Sequence, residues 1–300
     1  MPQREGFTFS ILLCFLLLAQ TAAGGEVSLE GVGKMPLARA EYRPGQAERP
    51  AVLILHGFLQ THAFGTVHRM LEGLSGEGYA VLSPTLTLGA PNRQRSLPCE
   101  TIHKHRLTDA HAELDAWLAW LEKRHPGPVV LVGHSFGSAV LASYLQAGKP
   151  PRVRKLIAVS ITEARTHRPE QEIQALRLSL RERVARGERG IVTLPLSYCK
   201  RYTSTPESLL SYLDWDAQRI LQALRSLPID KALIMGGDDE LIPPDWVARL
   251  RQTGRVHVVQ GANHFLDGLH EFELLDLLLA ELTVHGQTAT PDDERRRWRP

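Results

Sequence analysis

Little in this chain points away from an ordinary globular core. Charge of either sign is nearly balanced, with 35 Lys and Arg against 33 Asp and Glu, a formal net of +2. That balance, with no basic stripe and no recognition motif, argues against a nucleic-acid partner. Long hydrophobic runs are missing too. The strongest, Ile11 to Ala19, is nine residues, too short to cross a bilayer as a helix. Internal repeats are absent, which excludes a solenoid. Cysteine is scarce, at three residues in 300, so the fold must rest on its core; 43% hydrophobic content is enough for a large one, in one or two domains.

The ends differ from the middle. Arg4, the apolar run Ile11 to Ala19 and the small residues of Gln20 to Gly24 read as a signal peptide over residues 1–24. The chain is therefore expected to be exported, periplasmic or secreted. Retention as an uncleaved membrane tether is the alternative. Cys14 follows Leu13, not the small residue of a lipoprotein signal. Its removal would leave Cys99 and Cys199, which an oxidising compartment would allow to pair, or which would stay as two thiols. From residue 286 to 300 the chain is polar and is expected to be a disordered tail.

Between these ends, residues 26–285 read as a domain in which strands and helices alternate. Residues 26–42 suggest a small opening hairpin with a turn at Arg43 to Gln46. Ala51 to Leu55, Tyr79 to Ser83 (ended by Pro84), Val129 to Val132, Val153 to Ile161, Lys231 to Met235 and Val256 to Gln260 are short, apolar, β-rich runs. Helical spacing follows most of them, and that rhythm predicts an α/β fold, a mostly parallel doubly wound sheet with helices on both faces. The final helix is expected to use Leu269, Phe272, Leu275 and Leu279 as its inner stripe. Residues 162–228 break the rhythm. They show no strand-like run but two helix starts, at Pro169 and at Thr205-Pro206-Glu207, and suggest a helical cap inserted over one end of the sheet. Its Tyr198, Tyr202, Tyr212 and Trp215 could line an apolar pocket or belong to the core.

The most informative stretch is Gly133-His134-Ser135-Phe136-Gly137, directly after a buried strand and before an apolar helix. A G-x-S-x-G in that context lifts a serine hydroxyl out of a sharp strand-to-helix turn. Three other stretches accompany it: His56-Gly57-Phe58, Gly236 to Pro243, and Gly261 to His264. In these four stretches and their order the chain resembles the α/β-hydrolase superfamily, serine esterases and lipases in particular, over most of residues 50–282.

That resemblance implies a nucleophile at Ser135 and a general base at His264. Asp239 best matches the orienting acid of the family's G-x-x-D-x-x-x-P pattern, with Asp238 serving the turn and Glu163 as the other acid position some relatives use. It also implies oxyanion donors at the backbone of Phe58 and Phe136, with His56 bracing its loop. The expected activity is cleavage of an ester or similar acyl bond through an acyl-enzyme. Rivals are a thioesterase, amidase or peptidase on the same triad, and a non-catalytic binding protein that kept the fold. The expected partner is a small acyl substrate, with no nucleic acid and no cofactor; oligomeric state is left open. Over the carboxyl end of the sheet, Cys99 and Cys199 would be placed to tie cap to core. The cluster Glu100, His103, His105 and His111 lacks metal-ligand spacing and reads as a solvated helix start.

Overall fold

The computed structural model describes residues 24–30, 36–148, 150–165 and 168–283. The expected signal peptide, apart from Gly24, and the expected tail lie outside these residues. The main sheet has eight strands in the order β1-β2-β4-β3-β5-β6-β9-β10. They are β1 Gly25–Leu29, β2 Ala38–Arg43, β3 Ala51–Leu55, β4 Val81–Thr85, β5 Val129–His134, β6 Val153–Val159, β9 Asp230–Gly236 and β10 Arg255–Val259. β1 and β2 pair antiparallel, β2 runs antiparallel to β4, and every later pairing is parallel. The opening hairpin therefore turns before Ala38, and Arg43 to Gln46 leads instead into β3.

Both faces of this sheet are covered, which is why its central strands carry continuous apolar runs rather than alternation. Along β3, Val52 and Ile54 pack with α1 (Gly65–Gly76) and α8 (His270–Thr283). Leu53 and Leu55 pack on the other face with α2 (Asp109–Glu122), α3 (Phe136–Ala147) and α6 (Ala217–Ser226). All four are fully buried. At about 1.5–3 kcal/mol per buried branched side chain, such positions supply much of the drive to fold.

Two expectations are corrected here. Pro84 does not end its strand but lies inside β4, opposite Ala40. The registered ladder to β3 ends at Leu82, so a missing N–H at 84 breaks none of those pairs. The inner stripe of α8 is Leu274, Leu278 and Leu282, with the expected Leu275 and Leu279 partly buried beside it, while Leu269 and Phe272 are 88% and 67% exposed. The leucine-rich run Leu274 to Leu279 offers two overlapping stripes, and periodicity alone does not choose between them.

The segment between β6 and β9 holds more than helices. It contains α4 (Glu170–Ala185), α5 (Pro206–Leu213), α6, and an antiparallel pair of strands, β7 (Val192–Leu196) and β8 (Cys199–Ser204). The hairpin was hidden because Pro195 interrupts its first strand, where the register shifts between Leu194 and Leu196. The helix that starts at Thr205-Pro206-Glu207 ends at Leu213, and a separate helix, α6, follows. Asp216 restarts the chain as a cap, its carboxylate accepting from Arg219 N at 2.8 Å. Among the described residues no helix is long and apolar enough to cross a membrane.

Candidate active site

β5 delivers Ser135 to a strained corner. Its φ of 55° and ψ of −130° lie outside the regions most residues adopt, a strain on the order of 1–3 kcal/mol. The corner closes because both flanking glycines lack a side chain. A Cβ on Gly133 would lie 2.5 Å from Ser138 Cα, and one on Gly137 would lie 2.3 Å from the His56 carbonyl oxygen. Ser135 N donates to Val159 O at 2.8 Å, and the Ser138 hydroxyl donates to Gly133 O at 2.7 Å, so neighbouring strand and helix hold the turn.

Asp239 follows β9 and His264 follows β10. The two loops interlock: Asp238 N donates to Ala262 O at 2.9 Å, and a Cβ on Gly236 would strike Asn263 O at 2.4 Å. This brings three side chains into line. The Ser135 hydroxyl is 2.8 Å from His264 Nε2, and His264 Nδ1 donates to Asp239 Oδ2 at 2.7 Å. Since a carboxylate can only accept, Nδ1 carries the proton and Nε2 presents its lone pair to the serine. The Asp239 side chain is fully buried, and its other oxygen accepts from Leu241 N at 2.9 Å. Asp238 is exposed. Glu163 is turned elsewhere, accepting from Ala217 N at the start of α6 at 2.8 Å, and burial pushes its carboxyl above the usual range.

Phe136 directly follows the serine, and Phe58 lies beside it in the wall of a shared cavity. Their rings meet edge to face at 5.8 Å, and a Cβ on Gly57 would lie 3.2 Å from Ser135 Cβ. His56 is buried and kept neutral by its burial; its Nδ1 donates to Gly57 O at 2.8 Å while Nε2 accepts from Leu86 N at 3.0 Å. A residue not singled out in the sequence completes this loop. Arg93, 5% exposed, donates to the carbonyls of Leu86, Leu59, Arg95 and Gln60 at 2.6 to 3.1 Å. Burial pulls its guanidinium down to about 10, still charged at neutral pH. It also reaches His56 Nε2 at 3.3 Å, and no sequence pattern could have found it, because its other partners are backbone oxygens.

The segment between β6 and β9 is fastened beside this loop. Cys99 and Cys199 are joined in a disulfide with Cα atoms 5.5 Å apart. His103 N donates to Thr203 O and Thr205 N donates to His103 O, extending β8 towards the core. His103 and His105 are thus buried, 2% and 5% exposed, not the solvated helix start expected. They form a relay. Pro98 O can only accept, so His103 Nε2 donates to it at 3.2 Å. His105 Nε2 then donates to His103 Nδ1 at 3.4 Å, and the Tyr212 hydroxyl donates to His105 Nδ1 at 2.7 Å. Burial lowers His105 to about 3, consistent with a neutral ring. His111 lies apart, bonded to the Ser143 hydroxyl at 2.9 Å.

Ser135 and His264 open into a cavity of about 430 Å3 walled by Phe58, Phe64, Phe265 and Tyr198. The Tyr198 hydroxyl donates to Phe58 O at 3.1 Å, whereas Tyr202, Tyr212 and Trp215 are buried in the core. Among the described residues, Glu41, His68 and Glu72 could gather around a cation, but Arg43 already pairs with both carboxylates.

A sequence profile described as the alpha/beta hydrolase family matches residues 52–273. The chain belongs to the alpha/beta hydrolase family. No curated relative matches the sequence. Solved alpha/beta hydrolases resemble its fold at low identity. One is GrgF from Penicillium sp. sh18, 17% identical, covering 88% of this chain and 99% of that one at a TM-score of 0.66. Another is a monoacylglycerol lipase from Paleococcus ferrophilus, 18% identical, covering 83% and 99% at 0.62. A thioesterase domain from the curacin biosynthetic pathway is 18% identical and covers 87% and 100% at 0.55.

Proposed function

We propose that this hydrolase-family protein is an exported serine hydrolase that cleaves a carboxylic ester or similar acyl compound through an acyl-enzyme. The observation that carries the reading is the hydrogen-bonded line Ser135, His264, Asp239 at the wall of the cavity. A serine hydroxyl is a weak nucleophile until a base takes its proton. His264 Nε2 would take it as Oγ attacks the carbonyl carbon, then return it to the leaving group. Asp239 would hold Nδ1–H and stabilise the imidazolium as it forms. The backbone N–H groups of Phe58 and Phe136 would meet the oxyanion, the second at the positive end of α3. Water, activated by His264 in turn, would release the acid. No step calls for a cofactor. The segment at 162–228 would act as the cap, and its disulfide to the core favours an oxidising compartment.

Ser135→Ala should abolish labelling by a fluorophosphonate probe without unfolding the protein; undiminished labelling would place the nucleophile elsewhere. Asp239→Asn should lower kcat by on the order of 10⁴-fold. Exposed Asp238→Asn should leave it within about twofold, as surface changes away from a network are nearly neutral. Equal losses would defeat the assignment. Running esters and thioesters of matched acyl groups on the wild type separates the two substrate chemistries.

A further inference from the structure

The cavity beside Ser135 and His264 is apolar on much of its wall, yet Arg165 also lines it. Arg165 is the one arginine or lysine among the lining residues. Its backbone is fixed, its carbonyl accepting from Ser197 N at 2.7 Å, which ties it to the turn between β7 and β8. Its guanidinium has no hydrogen bond or ion pair with any described residue. Other sheltered arginines in the chain are engaged: Arg93 by four carbonyls, and Arg177 by Asp216 and the Leu213 carbonyl. Arg165 is half-buried and lines the same cavity as Ser135, so its donors are open to an anionic group on a bound substrate. Glu163 lines the same cavity, where burial raises its carboxyl and the Arg165 charge lowers it, but the two make no direct ion pair. Glu163 spends its carboxylate on Ala217 N, where the amino end of α6 offsets its charge.

We propose that Arg165 is a substrate-recognising residue, and that the cavity takes an ester carrying a carboxylate at the end of a short apolar segment, such as a half-ester of a dicarboxylic acid. The proposal rests on the serine-hydrolase reading above. The guanidinium fork matches one carboxylate through two parallel N–H donors, while the methylenes lie against Phe58, Phe64 and Phe265. A dianionic phosphate fits less well, since one guanidinium balances one charge and the second would face Glu163. Size sets the reach: a cavity of this volume is roughly 9 Å across, enough for a diacid of about four to six carbons.

The test compares two pairs of substrates that differ by one charge. In the first, mono(4-nitrophenyl) adipate is set against its methyl ester, so that the carboxylate is on the acyl side. In the second, 3-acetoxypropanoate is set against its methyl ester, with the carboxylate on the alcohol side. Wild type should prefer the anionic member of at least one pair. Arg165→Gln should lower kcat/KM for that member by about tenfold to a hundredfold while changing its neutral twin less than about twofold. Arg165→Lys should restore part of the difference. No preference in either pair, or an equal loss on both members, overturns the proposal while leaving the hydrolase reading in place. If no ester is turned over and Ser135 takes no fluorophosphonate label, the hydrolase reading has failed. Calorimetry with monomethyl adipate then decides Arg165 separately: binding to wild type but not to Arg165→Gln supports it, and equal binding or none overturns it.

Discussion

Removing the disulfide should destabilise the protein strongly while leaving the candidate active site assembled. The bond closes a loop with a sequence separation of 100, for which the chain-entropy relation gives about 4.7 kcal/mol at 25 °C. Native contacts around it do not depend on the sulfur atoms. Thr203 N still donates to Cys99 O, His103 N to Thr203 O, and the Tyr212 hydroxyl to His105. The loss should therefore fall on the unfolded state, which gains freedom, rather than on the folded one. The cleanest perturbation is the double variant Cys99→Ala, Cys199→Ala, which avoids thiol exchange. Guanidinium unfolding should show a drop of about 3–5 kcal/mol, with a larger m-value because the unbridged chain exposes more surface. In a chain of this size that corresponds to a fall in Tm of roughly 6–20 °C. Ester turnover per folded molecule should stay within about twofold, since the line from Ser135 to Asp239 runs through the sheet ends and not through Cys99. A stability change below about 1 kcal/mol would refute the argument. So would a large loss of turnover in protein that is still folded.

Two other predictions concern groups on the same side of the sheet. Arg93→Met removes the side-chain donor from the Leu86, Leu59, Arg95 and Gln60 carbonyls, of which the Leu59 oxygen keeps Leu97 N, and should cost about 2–4 kcal/mol of stability. If Arg93 positions the loop that carries Phe58, kcat should also fall in the folded fraction with KM nearly constant; an unchanged kcat would make it a stability residue alone. The acid limb of the stability curve tests His105. Its folded value near 3 lies below the unfolded value of about 6.5, so between these the unfolded state binds the extra proton and stability falls as pH falls. His105→Gln should flatten that limb by up to about 1.4 kcal/mol per pH unit, as read by urea unfolding from pH 7 to 4. An unchanged slope would mean that His105 does not carry it.

What could be read from the sequence was what local sterics dictate. The turn at Ser135 needs glycine on both sides for reasons visible within five residues, and the strands around it are buried on both faces and so are continuously apolar. Asp239 and His264 are likewise marked by the tight loops at Gly236 and Gly261. What stayed hidden depended on distant partners. His103 looks like a solvated residue until Tyr202, about a hundred positions on, stacks on it with ring centroids 4.5 Å apart. β8 reads as polar because the burial of Cys199 and Tyr202 comes from the core, not from its own pattern. Arg93 looks like one more loop charge, since backbone carbonyls leave no trace in a sequence.

These hidden contacts share one consequence. The proposed nucleophile, base and acid all stand just beyond the ends of parallel strands. The proposed oxyanion loop is held from two sides. Phe58 is held from below by the Gly57 to Gln60 turn and by Arg93, and from above by Tyr198, whose hydroxyl donates to its carbonyl. Its ring also meets those of Tyr202 and Tyr212 at 5.5 and 5.6 Å, both from the segment between β6 and β9. A shift of that segment would therefore be felt first at Phe58, while the spacing of Ser135, His264 and Asp239 stayed as it is. Tyr198→Phe isolates the contact: it keeps the ring and removes the hydroxyl. Turnover should fall about fivefold to tenfold, in line with one hydrogen bond of about 1 kcal/mol, while fluorophosphonate labelling of Ser135 continues. Loss of labelling together with turnover would mean that the segment reaches the triad itself.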